Sequence, residues 1–144
     1  MKGLTFILVD DNITYRKALK TILIKQFDAI ILAEASNAEE MLAIQKEYKA
    51  DIILMDVMMP GKSGIELAKE LLWYHDSHLK IIAMTMHVDK IYLTTLLETG
   101  FKGCIFKDEL AKQLNEALSE VMNGRLYFPN NILLDYNGRS LDKL

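Results

Sequence analysis

A chain of 144 residues has the length of one ordinary domain and is too short for two with separate cores. With 51% hydrophobic and 26% charged residues and a net charge of -3, it can bury a sizeable core. General disorder is excluded, and so is a nucleic-acid surface spread over the whole chain. One cysteine, Cys104, excludes an internal disulfide and fits a reducing compartment. No apolar run reaches the ~20 residues of a membrane helix, and the opening Gly-Leu-Thr-Phe-Ile-Leu-Val runs straight into Asp10-Asp11, unlike a signal-peptide core. The expectation is a cytoplasmic domain without membrane contact.

Leu4–Val9 reads as a first strand. Leu19, Ile22, Leu23 and Phe27 follow at helical spacing, among Arg16, Lys17, Lys20 and Lys25. Ala29–Ala33 is a second strand, after which Asn37 and Glu40 are spaced as an N-cap and its third helical residue. Asp51–Met55 is a third strand, and Ser63 with Glu66 opens a helix carrying Leu67, Ala68, Leu71 and Leu72. Lys80–Met84 is a fourth, followed by Leu93, Leu96 and Leu97 on a helix ended by Gly100. Gly103–Phe106 is a fifth, and Asp108 is placed to cap a last helix with Leu110, Leu114, Ala117, Leu118 and Val121.

Most of these strands are apolar on both faces, as a parallel sheet covered by helices on both sides requires. The predicted fold is therefore α/β, a (βα)5 flavodoxin-like doubly wound sheet of strand order 2-1-3-4-5. No G-x-G-x-x-G follows the first strand, which argues against a dinucleotide. The helical pattern stops at Gly124. Leu126-Tyr127-Phe128-Pro129 can pack as a short apolar turn, whereas Asn130–Leu144 is polar, with Asn137-Gly138 as a turn signal. Residues 1–124 are expected as the folded domain, and 125–144 as a tail or the start of a linker.

In such sheets chemistry gathers at the carboxyl ends of the strands. There the sequence puts Asp10 and Asp11 after the first strand, Asp56 after the third, Thr85 after the fourth and Lys107 after the fifth. An Asp at a strand end is commonly a cap, and a lone Lys is commonly a solvated charge. Five ionisable or hydroxyl groups on one edge are a site. Three carboxylates repel unless a cation compensates, and Mg²⁺, a hard ion satisfied by one or two carboxylates plus water, is the natural one.

The segments V-D-D, I-L-M-D-V-M-M-P-G, A-M-T-M-H and G-C-I-F-K-D together resemble bacterial response-regulator receiver domains over about residues 4–124. M-D-x-x-M-P-G, T-M-H and N-G-R-L-Y-F-P are most similar to the NarL/LuxR class. The resemblance implies a phosphorylation switch of two-component signalling rather than an enzyme. Asp56 is then the phosphoacceptor, served by a sensor histidine kinase. Asp11, Asp56 and the Met58 backbone carbonyl bind Mg²⁺, with Asp10 acting through water. Thr85 and Lys107 hold the phosphoryl group. It also implies a homodimer through the fourth helix, fifth strand and fifth helix, and transcription control by a DNA-binding output domain not in this chain.

Two alternatives stand beside that reading: a stand-alone receiver acting by protein contact only, and an aspartyl-phosphate phosphatase. The phosphatase needs an acid two residues after the nucleophile, where Met58 has no proton to give. One position departs from the family. Cys104 stands where receivers usually carry a rotating Tyr or Phe, so the switch is expected to run through loop and helix shifts. A redox role for Cys104 lacks a resolving cysteine. The resemblance also implies that Met58 and His87, two residues after Asp56 and Thr85, flank an attacking water; His87 can orient one by hydrogen bonding and Met58 cannot. His75 and His78 have no third soft ligand and are not a metal site.

Overall fold

The computed structural model describes residues 3–87 and 89–134. Five parallel strands, β1 (Thr5–Val9), β2 (Ile30–Ala35), β3 (Ile52–Asp56), β4 (Ile81–Thr85) and β5 (Gly103–Phe106), form one sheet in the order β2-β1-β3-β4-β5. Between and after them run α1 (Ile13–Phe27), α2 (Ala38–Gln45), α3 (Gly64–Glu70), α4 (Lys90–Thr99) and α5 (Leu110–Met122). The predicted fold and strand order are both observed.

Two apolar clusters explain why the strands are apolar on both faces. Phe6, Leu8, Ile52, Leu54, Ile82, Met84 and Ile105 pack with Leu19 and Leu23 of α1 and Leu114, Leu118 and Val121 of α5. The alternate residues Ile7, Val9, Ile53, Met55, Ile81, Ala83 and Cys104 pack with α2, α3 and α4. Each strand therefore sends successive side chains to opposite layers.

Local chemistry sets the helix starts. The side chains of Asn12, Asn37, Ser63 and Asp89 accept from the backbone N–H groups of Tyr15, Glu40, Glu66 and Tyr92. Glu40 reaches back to the N–H and hydroxyl of Ser36, one residue before the cap. Gly64, the first residue of α3, lies so close to the preceding turn that a Cβ would sit 2.5 Å from Val57 Cα and 2.7 Å from the Asp56 carbonyl. Only glycine lets α3 press against the end of β3.

Four expectations need correction. β2 runs two residues further, to Ala35, and β3 and β4 one each, to Asp56 and Thr85, because Ala35 pairs with Val9, Asp56 with Met84 and Thr85 with Phe106 in the ladders. Asp108 does not cap the last helix: Lys107–Glu109 form a 3-10 turn and α5 starts without a side-chain cap. α3 continues as a π-helical turn, Leu71–His75, so the helical stretch reaches past Leu72 to His75. Beyond Gly124, Tyr127 pairs in parallel with the outer edge of β5: the N–H of Cys104 donates to the Tyr127 carbonyl at 2.8 Å, and the N–H of Tyr127 to the Lys102 carbonyl at 3.0 Å. Residues 130–134 are helical. Phe128 and Ile132, 6% and 1% exposed, join the cluster under α4. The polar stretch expected from Asn130 thus contains a residue, Ile132, that is buried in the core. The Asn137-Gly138 turn signal lies outside the described residues.

Candidate phosphoacceptor and metal site

The carboxyl ends of β1, β3, β4 and β5 bring the predicted residues onto one rim. Asp10 is fully buried and Asp56 nearly so, whereas Asp11 is exposed. One carboxylate oxygen of each lies within 4.8 Å of one from both others. Lys107 Nζ reaches between them, 3.0 Å from Asp10 Oδ2 and 3.3 Å from Asp56 Oδ2. It also lies 4.4 Å from the centre of the Tyr15 ring, and the Tyr15 hydroxyl donates to the Lys107 carbonyl at 3.4 Å. Tyr15 was not singled out from the sequence; its place three residues after an N-cap gives no sign of what its ring touches.

The remaining oxygens are tied to backbone. Asp56 Oδ1 accepts the Met58 N–H at 2.9 Å, and Asp10 Oδ1 the Asn12 N–H at 2.9 Å. The guanidinium of Arg16 donates to the Asp10 carbonyl while its Nε bonds Glu34 at 2.9 Å, which fixes the loop after β1 to β2. Thr85 is fully buried, and its hydroxyl oxygen accepts the His87 N–H at 3.0 Å. That bond leaves the hydroxyl proton for an acceptor arriving at the rim.

One ammonium does not balance this much negative charge. Burial, and then the charge of Asp10, push the Asp56 carboxyl up from 3.8 to about 6, against the Met58 N–H and Lys107, which pull it down. The same surroundings push the Tyr15 hydroxyl up to about 12, chiefly by burial and then by the charges of Asp10 and Asp56. A cluster of oxygen donors with surplus negative charge and one exposed side suits a hard divalent cation that keeps several waters. The chemistry of the donors fits the ion the sequence implied.

The profile of the response regulator receiver domain family matches residues 6–119. The chain belongs to that family. Among curated relatives of this receiver, the oxygen regulatory protein NreC of Staphylococcus aureus (strain JH9) is 34% identical over 122 residues, covering 84% of this chain and 56% of that protein. The transcriptional regulatory protein DegU of Brevibacillus brevis is 28% identical over 134 residues, 90% of this chain and 56% of that protein. The receiver thus spans a little over half the length of these relatives. Among solved structures, a LuxR-family two-component response regulator from Aurantimonas sp. SI85-9A1 matches with a TM-score of 0.84 at 24% identity, over 97% of this chain and 99% of that one. The isolated receiver domain of RcsB from Salmonella enterica serovar Typhimurium, with the phosphomimetic BeF3-, matches with a TM-score of 0.80 at 22% identity, over 91% and 96% of the two chains. These likenesses agree with the fold, and the relatives agree with the NarL/LuxR resemblance.

Receiver domains of transcriptional response regulators are signalling switches, and this one carries the acidic cluster at which they bind Mg²⁺. Among the described residues, no helix is long and apolar enough to cross a membrane.

Proposed function

We propose that this receiver accepts a phosphoryl group on Asp56 from the phosphohistidine of a sensor kinase. The observation that carries the reading is the Asp10–Asp11–Asp56 cluster with Lys107 Nζ 3.3 Å from Asp56 Oδ2. In the transfer, an Asp56 oxygen bonds to phosphorus as the nitrogen–phosphorus bond breaks. The electron pair returns to the imidazole, which takes up a proton. Phosphoryl transfer asks a protein mainly for alignment and charge balance. Asp11, Asp56 and the Met58 carbonyl would hold Mg²⁺, which supplies positive charge to the phosphoryl oxygens. Asp10, already committed to the Asn12 N–H and Lys107, would act through water. Lys107 offsets part of the ~1.5 to 2 negative charges that a phosphoryl group adds, and Thr85 donates its hydroxyl proton to one of its oxygens.

The partners follow from the same reading: a sensor kinase, DNA only through an output domain that lies outside this sequence, and a second receiver through α4, β5 and α5. In support, the curated relatives are regulators nearly twice as long as the part matched. Residues 125–144 would then lead toward the output domain. The outer edge of β5 is already paired with Tyr127, so a dimer on that face rests on α4 and α5 side chains and the 126–133 segment rather than on strand pairing. A receiver of this kind works in the cytoplasm.

Incubation with Mg²⁺ and a small acyl-phosphate donor, followed by intact-mass measurement, tests the assignment. One phosphoryl adduct is expected on the wild type and none on Asp56→Asn. An adduct that persists in the variant overturns it.

A further inference from the structure

Tyr92 sits on α4, outside the five residues that the motifs mark, yet it connects two of the loops that surround Asp56. Asp89 caps α4 and accepts the Tyr92 backbone N–H at 2.9 Å, which fixes where the ring leaves the helix. The Tyr92 hydroxyl donates to Met58 Sδ at 3.6 Å, within the range of a sulfur acceptor. Its ring is tilted at 48° to that of His87, with the centroids 5.0 Å apart.

These contacts close a circuit. Met58 N–H bonds Asp56 Oδ1, Met58 Sδ receives Tyr92, Tyr92 packs on His87, and the His87 N–H bonds the Thr85 hydroxyl. The circuit starts at the phosphoacceptor and ends at the hydroxyl expected to meet the phosphoryl group. Met58 is 55% exposed and His87 is exposed. Without a neighbour to hold them, two exposed side chains on loops would sample several rotamers. Tyr92 is partly buried and packed against the cluster that contains Cys104, so it is the anchored member.

We propose that Tyr92 is a positioning residue that holds the Met58 thioether beside Asp56, keeps the His87 ring packed against its own rather than free to orient a water, and thereby slows hydrolysis of the acyl phosphate. The inference rests on Asp56 being the phosphoacceptor. In the hydrolysis, a water oxygen bonds to phosphorus and the bond from phosphorus to the Asp56 oxygen breaks. Its electron pair returns to the carboxylate, and the water's protons pass to phosphate and solvent. An apolar thioether held over the approach removes space for that water and offers it no strong hydrogen bond.

The test follows loss of the adduct by intact mass after removal of the acyl-phosphate donor. Tyr92→Phe keeps the ring against His87 and loses only the bond to sulfur; loss of the adduct should be about two- to fourfold faster, the size of one weak hydrogen bond. Tyr92→Ala should be about tenfold faster, with Phe standing as partial rescue. Met58→Leu removes the sulfur acceptor, so Tyr92→Phe should change nothing further in that background. A merely structural tyrosine would give additive effects instead. Unchanged or slower loss in Tyr92→Phe, or additivity with Met58→Leu, overturns the proposal even if Tyr92→Ala fails to fold. Absence of any adduct on the wild type, or its presence on Asp56→Asn, strikes the phosphoacceptor reading instead.

Discussion

At the carboxyl rim, two buried carboxylates face each other across a single ammonium; at the outer edge of β5, the buried groups are apolar side chains and a paired backbone. Both regions satisfy their hydrogen bonds, since no buried side-chain nitrogen or oxygen among the described residues lacks a partner. They differ in electrostatics. The rim buries like charges close together, so burial first, and then the charge of Asp10, drive Asp56 toward its neutral form. At the edge, Phe128 and Ile132 are buried in an apolar cluster with residues of α4 and β5. The rim therefore holds a charge imbalance that an arriving cation would relieve, and the edge contributes stability.

The comparison predicts mutations of opposite sign. The largest effect is expected at the edge: Phe128→Ala removes a ring from the shared core and should destabilise the folded state by about 3 kcal/mol. Urea unfolding checks it, and a loss below about 1 kcal/mol would show that the segment after Gly124 adds little to the fold. At the rim, Asp56→Asn keeps an acceptor for the Met58 N–H and removes a charge that burial and Asp10 disfavour. It should stabilise the metal-free protein by about 1 kcal/mol at pH 7. Equal losses at both places would break the contrast.

The same contrast governs what could be read from sequence. The five strands were legible because short runs apolar on both faces have few other readings, and the order because crossovers are right-handed. Asp10, Asp11, Asp56, Thr85 and Lys107 were legible because strand ends in a parallel sheet share an edge. The partner of Asp10 was less so: Lys107 lies nearer to Asp10 than to Asp56, which depends on how far the lysine stem reaches. The edge segment escaped because Leu126–Pro129 has no period longer than one turn and Ile132-Leu133-Leu134 is an apolar run of only three residues between polar ones. Its burial depends on a distant strand. Asp108 misled for a related reason: an acidic residue just before a helix reads as a cap, but here the chain leaves β5 through a 3-10 turn. Tyr92 carried no motif, and its contacts come from loops 34 and 5 residues away in the chain.

Cys104 belongs to the edge in this comparison, although it occupies the position of a switch aromatic. Burial pushes its thiol up from 9.0 to about 12, so it is a packing residue and a poor nucleophile. The native state holds this proton more tightly than the unfolded chain does. The resulting stability is intact below pH 9 and is lost as pH rises from 9 toward 12. Wild type should therefore lose about 1 kcal/mol more than Cys104→Ala between pH 8 and pH 10. A parallel pair of stability profiles would show that the thiol ionises as freely folded as unfolded. Native protein should also react with a maleimide far more slowly than protein in urea.

The smallest effect tests the strand pairing at the edge. Gly103 has no Cβ, and one built there would lie 3.2 Å from the Tyr127 carbonyl oxygen, 3.3 Å from Tyr127 Cβ and 3.4 Å from Val121 Cγ2. A free strand would gain from Gly→Ala, because alanine loses less backbone entropy on folding. Here the oxygen in the way accepts the Cys104 N–H at 2.8 Å, so it cannot retreat without lengthening that bond. The steric cost should exceed the entropic gain, and Gly103→Ala should destabilise by roughly 0.5 to 1 kcal/mol. In the Phe128→Ala background, the segment is held less firmly and can shift to admit the methyl group. The penalty should then shrink toward zero or change sign, because the two sites share one backbone bond. If the penalty is the same in both backgrounds, Val121 and α5, rather than the paired segment, are what require glycine at 103.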